Sequence, residues 1–416
     1  MKVFKFGGAS VKNSDSIRNI VEIIRSYGSN ELIIVVSAMD KTTNALENVL
    51  ELYLKKNKEY LQKIDQIFIF HDKICRDLFP KNHNVFCGLK NIITKLVSFL
   101  KNNKSPNYSF VYDQTVSYGE LISTFIINSY FIEEKLKTNF IDARNCIKTD
   151  SNYRGGNIIW DKTNENIRDN IKINQLNLTQ GFIASDKNNF NVTLGREGSD
   201  YSAAIFAFAV NAESLTIWKD VKGLLNADPK YFKNTELMKT ISYSEAIELA
   251  FYGASVIHPK TLQPLQKKEI PLYVKSFEKP DQNGTEINKN LQLSPKVPCY
   301  IFKNKMIFIK IFSLDFSFAI DENLSNIFEK IDECKMKVDV IQNSAISFSI
   351  CLYDKYDQID NLLKNLKEKF KIEVFKNTSL YTIRHFDEKS IEVVSKGKKL
   401  LLEQRTEKTV KLIFSA

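Results

Sequence analysis

Lys5-Phe6-Gly7-Gly8-Ala9-Ser10 closes the first apolar run of the chain, Val3–Phe6. It stands before a segment of helical spacing, Ile17, Ile20, Val21 and Ile24, with Ser14 as the candidate cap. Strand, glycine pair and helix together are the local plan of an anion cradle. Without Cβ atoms the backbone N–H groups can approach phosphate oxygens, and the helix dipole favours negative charge there. The lysine precedes the glycines, whereas in a Walker A loop it follows them. Alone, Gly-Gly after a strand is more often a plain turn. The plan recurs, however, at Leu194-Gly195-Arg196-Glu197-Gly198-Ser199-Asp200-Tyr201, ahead of an Ala-rich helix over Ala203–Val210. Arg196 offers a planar fork for a carboxylate, and Asp200 a carboxylate for a metal or an ammonium. Ser199 or Asp200 would also cap that helix. Two such loops on one sheet tilt the reading to a shared anion-handling crevice.

Around these loops, short apolar runs alternate with helical patterns. Leu32–Val36, Leu178–Ile183 and Leu215–Trp218 read as buried strands, Val116–Leu136 as a long helix, and residues 50–110 as a helical excursion. The fold class that follows is α/β, three layers with a mostly parallel sheet covered on both faces. After Leu272–Ser276 a turn-rich stretch with Pro280, Gly284, Pro295 and Pro298 marks a boundary, giving domains over 1–285 and 299–416. Beyond it, strands at Met306–Phe312, Val338–Gln342, Ala345–Leu352, Ile372–Phe375, Leu380–Ile383 and Val410–Phe414 alternate with two helices. That βαββαβ order, repeated in shortened form, predicts two ferredoxin-like α+β modules side by side.

Composition narrows the function classes. The 416 residues are 43% hydrophobic, enough for a sizeable core, and no apolar run nears the roughly 18 residues of a membrane span. The N-terminus shows no signal-peptide pattern. The six cysteines are scattered, as reduced thiols are, and neither they nor the four histidines show metal-ligand spacing. A cytoplasmic protein is expected. The net charge of +10 is spread along helices among acidic residues, without a basic arm interleaved with aromatics, so nucleic acid is not an expected partner.

Two further stretches bear on chemistry. Val116-Ser117-Tyr118-Gly119-Glu120-Leu121 places the Glu120 carboxylate near a helix N-terminus, which also suits an ordinary helix start. Trp218-Lys219-Asp220-Val221-Lys222-Gly223, continuing to Asn226-Ala227-Asp228-Pro229, reads as a loop at the sheet's carboxyl edge, or simply as a well-made turn.

In this order the blocks resemble the aspartokinases of the amino-acid kinase superfamily. The matching stretches are Lys5–Val11, Val35–Leu46, Val116–Thr124, Thr193–Ala204, Trp218–Pro229, Glu248–Leu265 and Pro271–Phe277. The C-terminal part is similar to paired ACT modules. The resemblance implies ATP-dependent phosphorylation of the aspartate side chain to 4-phospho-L-aspartate, with Mg²⁺, opening the lysine, threonine and methionine branch of biosynthesis. It implies that Lys5, Gly7, Gly8 and Ser10 hold the phosphates, and that Lys219, Asp220 and the loop to Asp228 line the nucleotide side. Ser37 and Thr43 would contact the amino acid, Glu120 its ammonium and Arg196 its α-carboxylate. Ser199 and Asp200 would complete the crevice, with Lys5, Arg196 and Asp200 as the catalytic set and no protein-held metal. Asp339 and Ser344 match an effector stretch for lysine or threonine, and such modules imply a homodimer.

The chain departs from the family pattern at Glu197, where glycine is common, at Asp40, where small residues are usual, and at Ser255, where many members carry a lysine. Ala345 stands where several lysine-sensitive members carry an acid. The rival readings are another amino-acid kinase, acting on glutamate, N-acetylglutamate, carbamate or UMP, and an amino-acid sensor with a decayed kinase half. The Ser-Tyr-Gly-Glu block and the intact Lys5, Glu120, Arg196 and Asp200 speak against them. No GxGxxG unit is present, so a fused homoserine dehydrogenase is not expected.

Overall fold

The computed structural model describes residues 1–254, 257–313, 320–367 and 369–415. The chain falls into two compact units: 1–224 with 237–247 and 256–293, and 225–236 with 248–255 and 294–416.

Among the described residues, ten short strands belong to the first unit: β1 (Lys2–Phe6), β2 (Leu32–Val36), β3 (Thr138–Ile141), β4 (Leu176–Gln180), β5 (Ile183–Ser185), β6 (Asn191–Thr193), β7 (Ser214–Lys219), β8 (Thr240–Ser242), β9 (Leu272–Ser276) and β10 (Thr285–Asn288). Eight form one sheet in the order β3-β4-β2-β1-β7-β9-β10-β8, and β5 and β6 form a separate hairpin. β2 and β4 are buried at every residue, and β2 reads as a continuous apolar run for that reason. β1 is flanked in parallel by β2 and β7, with Lys5 opposite Val35 and Ile217. Successive strands run outward in opposite directions from β1, so the β1/β7 border is the switch point of the sheet.

The helix Ser14–Tyr27 buries Ile17, Ile20, Val21 and Ile24 against the sheet. Its cap is Asn13 rather than Ser14: Ser16 N–H donates to Asn13 Oδ1 at 2.9 Å. The expected helix over 116–136 is Tyr118–Glu133, and a separate helix, Tyr108–Val116, precedes it across Ser117. The helical excursion contains Tyr60–Leu78 and Val85–Asn102. At Gly88 a Cβ would lie 2.1 Å from Phe125 Cζ, so glycine lets the helix Val85–Asn102 pack on the Phe125 ring of Tyr118–Glu133. Trp218, fully buried on β7, stacks on Phe6 at a centroid distance of 6.1 Å. Burial of side chains like these contributes about 1.5–3 kcal/mol each.

The second unit holds one antiparallel sheet in the order β12-β13-β11-β14-β16-β15, from β11 (Cys299–Ser313), β12 (Lys337–Asn343), β13 (Ser347–Tyr353), β14 (Phe370–Arg384), β15 (Leu400–Arg405) and β16 (Thr409–Phe414). The two predicted modules share their central strands. β11 and β14 are each 15 residues long, so the stretches expected as separate strands at 372–375 and 380–383 are one. Paired from Cys299–Arg384 to Ser313–Phe370, they bind both modules into a single sheet. Among the described residues no helix is long and apolar enough to cross a membrane.

Candidate active site

Because β1, β2 and β7 are parallel and in register, the loops after Phe6, Val36 and Lys219 leave the sheet at one edge. The first turns at Gly7 into a short 3-10 helix, Gly8–Val11. A Cβ on Gly8 would lie 2.8 Å from Asp40 O and 3.0 Å from Ala38 O, so the first two loops approach backbone to backbone. Asp40 N–H donates to Gly8 O at 3.1 Å and Ser37 N–H to Phe6 O at 3.1 Å, closing that contact. Ser10 is buried, and its hydroxyl donates to Trp218 O at 3.2 Å, tying the first loop to β7.

These loops open on a cavity of about 300 Å³. Lys5, Gly8, Ser37 and Thr43 line one side, Glu120 and Phe182 another, and Gly195, Glu197, Ser199 and Asp200 the side of the second glycine loop, with Lys219 beside them. Lys5 Nζ lies 2.6 Å from Asp200 Oδ1, and Lys219 Nζ lies 3.4 Å from Oδ2. Burial alone would push the Asp200 carboxyl up, but the two ammoniums hold it below the usual carboxylate range. Glu120 has no such partner. Ala38 N–H donates to its Oε1 at 3.1 Å, Oε2 is buried without a hydrogen bond, and burial pushes its carboxyl up to about 8 despite Ala38 and Lys5. The cleft thus presents one neutralised carboxylate and one buried acid poised to take a cation.

The structure brings Lys5, Gly8, Ser37, Thr43, Glu120, Ser199, Asp200 and Lys219 to this one cavity. Gly7 borders it: a Cβ there would stand 3.2 Å from Lys5 Nζ. Arg196 is exposed on the second glycine loop, between the lining residues Gly195 and Glu197. Asp220 is exposed in the loop after β7. Asp228 belongs to the second unit, where Lys230 N–H donates to its Oδ1 at 2.9 Å. Asp339 and Ser344 also lie there. Asp339 Oδ1 is 2.6 Å from Lys303 Nζ, and Ser344 Oγ shares a 2.7 Å hydrogen bond with Ser347 Oγ. Ser255 lies outside the described residues.

Phe182 was not anticipated as a lining residue, and Glu197, noted in the sequence as a departure from the family pattern, lines the cleft. The expected strand ran through Phe182, but β4 ends at Gln180, and the signal was Gly181, where a Cβ would lie 2.6 Å from Ser199 Cβ. Glu197 holds a left-handed φ of +52° at the start of the helix Gly198–Ala209. Among the described residues no group of three or more His, Cys, Asp or Glu side chains gathers as a metal site.

A crevice at the carboxyl edge of a parallel sheet, at its switch point and floored by a lysine–aspartate pair, defines an anion-handling α/β fold. The pattern of the Amino acid kinase family matches residues 1–276, and the chain belongs to that family. It is 33% identical over 305 residues to a bifunctional aspartokinase/homoserine dehydrogenase of Buchnera aphidicola, covering 69% of this chain and 36% of that protein. It is 29% identical over 356 residues to the lysine-sensitive aspartokinase 3 of Escherichia coli, covering 84% of this chain and 78% of that one. The chain spans between 36% and 44% of bifunctional relatives of the first kind. In fold it is similar to E. coli aspartokinase III, solved in complex with aspartate and ADP, with a TM-score of 0.82, 24% identity, and coverage of 100% of this chain and 96% of that one.

Proposed function

We propose that the chain is an aspartokinase, transferring the γ-phosphoryl group of ATP to the side-chain carboxylate of L-aspartate to give 4-phospho-L-aspartate and ADP. The observation that carries this reading is the Lys5–Asp200 pair and Glu120, whose Oε2 is buried without a hydrogen bond, sharing one small cleft. The kinship with proteins named aspartokinases supports it.

The chemistry needs no general base, since a carboxylate is already ionised at neutral pH. One side-chain oxygen of aspartate forms a bond to γ-phosphorus while the bridging oxygen–phosphorus bond breaks, and ADP leaves with the electron pair. The obstacle is the approach of one anion to another. Lys5, held by Asp200, together with Lys219 and the N–H groups of Gly7 and Gly8, would stabilise the equatorial oxygens, while Ser10, hydrogen-bonded to Gly7 O and Trp218 O, fixes the turn. Gly8 lets this turn pack directly on the Ala38–Asp40 backbone, which fixes the turn for that task. Mg²⁺ would enter on the triphosphate and screen its charge, with the phosphates supplying most of its ligands. Glu120 would take the substrate ammonium, Arg196 would swing onto its α-carboxylate, and Ser37, Thr43 and Ser199 would complete the pocket. Asp220 and Asp228 are assigned to the nucleotide side on family resemblance alone.

The second unit would be regulatory, with Asp339 and Ser344 meeting lysine or threonine and a homodimer forming through its modules. A cytoplasmic enzyme at the head of lysine, threonine and methionine synthesis follows. Coupled measurement of ADP release with aspartate, glutamate and N-acetylglutamate tests the reading. Release with aspartate alone is expected, and release with either rival but not with aspartate refutes it.

A further inference from the structure

The hairpin strand β6 has one edge on β5 and the other edge away from it, and that outer edge is met by side chains of the helix Tyr108–Val116. Gln114 acts as a surrogate strand: its Nε2 donates to Asn191 O at 2.8 Å and its Oε1 accepts from Asn191 N–H at 3.1 Å. One residue earlier, Asp113 is fully buried. Its Oδ1 accepts from Thr193 Oγ1 at 2.7 Å, and its Oδ2 accepts from Thr193 N–H and from Arg154 N–H, both at 2.9 Å. The same carboxylate therefore holds two segments at once. Gly156 N–H donates to Thr193 O at 3.2 Å, and a Cβ on Gly195 would lie 3.2 Å from Arg154 O, so the turn around Arg154 underlies the start of the second glycine loop. Arg154 is in turn fixed over the Tyr112 ring at 4.4 Å.

We propose that Asp113 is a positioning residue that sets the spacing between Glu120 and Arg196, and hence the fit of the amino-acid substrate. On one side, Ser117 Oγ donates to Asp113 O, and the following helix, Tyr118–Glu133, carries Glu120. On the other, Thr193 leads through Leu194, whose N–H donates to Phe182 O at 2.9 Å, into Gly195 and Arg196. The two charged groups assigned to the substrate's ammonium and carboxylate are thus tied through one buried residue, by its backbone carbonyl on the Glu120 side and by its carboxylate on the Arg196 side. The inference rests on the aspartokinase reading for the identity of that substrate.

The energetics agree with a role beyond folding. Burial pushes the Asp113 carboxyl up to about 6, against the opposing Arg154 and Thr193 hydrogen bonds. A carboxyl raised above its unfolded value contributes most stability when protonated, and that contribution is lost as pH rises through about 6. At neutral pH the charge weakens the fold while satisfying three donors at the edge of the cleft.

The test uses the full chain, with Asp113→Asn and the milder Thr193→Val, which removes only the hydroxyl donor. Both should raise the aspartate KM at least fivefold with the ATP KM unchanged and kcat within about threefold, and the double variant should be no worse than the poorer single one. Hydrogen exchange should speed up in 191–198 in both variants without a general rise elsewhere. An unchanged aspartate KM in folded Thr193→Val protein, or an equal rise in both KM values, overturns the proposal. If the wild type shows no aspartate-dependent turnover, the aspartokinase reading fails; unaltered exchange in 191–198 then independently overturns the positioning role.

Discussion

Lys5 and Asp200 form a 2.6 Å ion pair in which neither side chain is more than a tenth exposed, and Lys219 stands 3.4 Å from the second Asp200 oxygen. Two ammoniums converge on one carboxylate at the point where the strand order of the sheet reverses. A buried pair of this kind is weak support for stability, because desolvation offsets much of the attraction. Its use is to hold Lys5 rigid while an anion arrives from the open side of the cleft.

Replacing Lys5 by Ala should therefore cut turnover at least about a hundredfold, the usual cost of losing one preorganised donor. Circular dichroism should show the fold retained. Turnover within a factor of ten of wild type in a coupled ADP assay would remove Lys5 from the chemistry.

The raised Glu120 carboxyl predicts a pH dependence. In the free protein it is protonated below about 8, and only the ionised form attracts the substrate ammonium. The kcat/KM for aspartate should therefore climb with pH, by about tenfold per unit well below that value, and level off near it. Glu120→Gln should abolish the slope. A wild-type profile that is flat from pH 6.5 to 8.5 would contradict the assignment.

Arg196 is exposed in the absence of substrate, so its removal should leave the melting temperature unchanged. Its loss should raise the aspartate KM by about tenfold or more, the scale of a charge-assisted hydrogen bond. Steady-state kinetics of Arg196→Ala checks this; an unchanged aspartate KM would exclude a role in binding.

In the second unit, Lys303 already occupies Asp339 at 2.6 Å, and Lys411 Nζ donates to the Asp339 carbonyl at 3.2 Å. An effector ammonium would have to displace Lys303. Lys303→Met should therefore lower the concentration of lysine or threonine needed for inhibition, by about tenfold. A dose–response curve identical to wild type would show that Asp339 takes no effector.

The crevice was legible in the sequence because its parts are local. Lys5 with Gly7–Gly8, and Gly195 to Asp200, each carry strand, loop and helix within a dozen residues. What could not be read was set by tertiary contact. Phe182 enters the cleft because Gly181 bends the chain against Ser199, and that close approach has no periodicity to announce it. The continuity of β11 and β14 depends on pairing between segments some 70 residues apart, through a register shift between Lys303 and Met306, where the expected strand began. Asp113 falls between the two stretches read as helical, and only its meeting with Thr193 and Arg154 gives it a role.

The most direct test is the identity of the product. With ATP, aspartate and hydroxylamine, wild-type protein should yield aspartate β-hydroxamate, and Lys5→Ala protein essentially none. Formation of the α-hydroxamate, or ADP release with no hydroxamate at all, would contradict transfer to the side-chain carboxylate in this cleft.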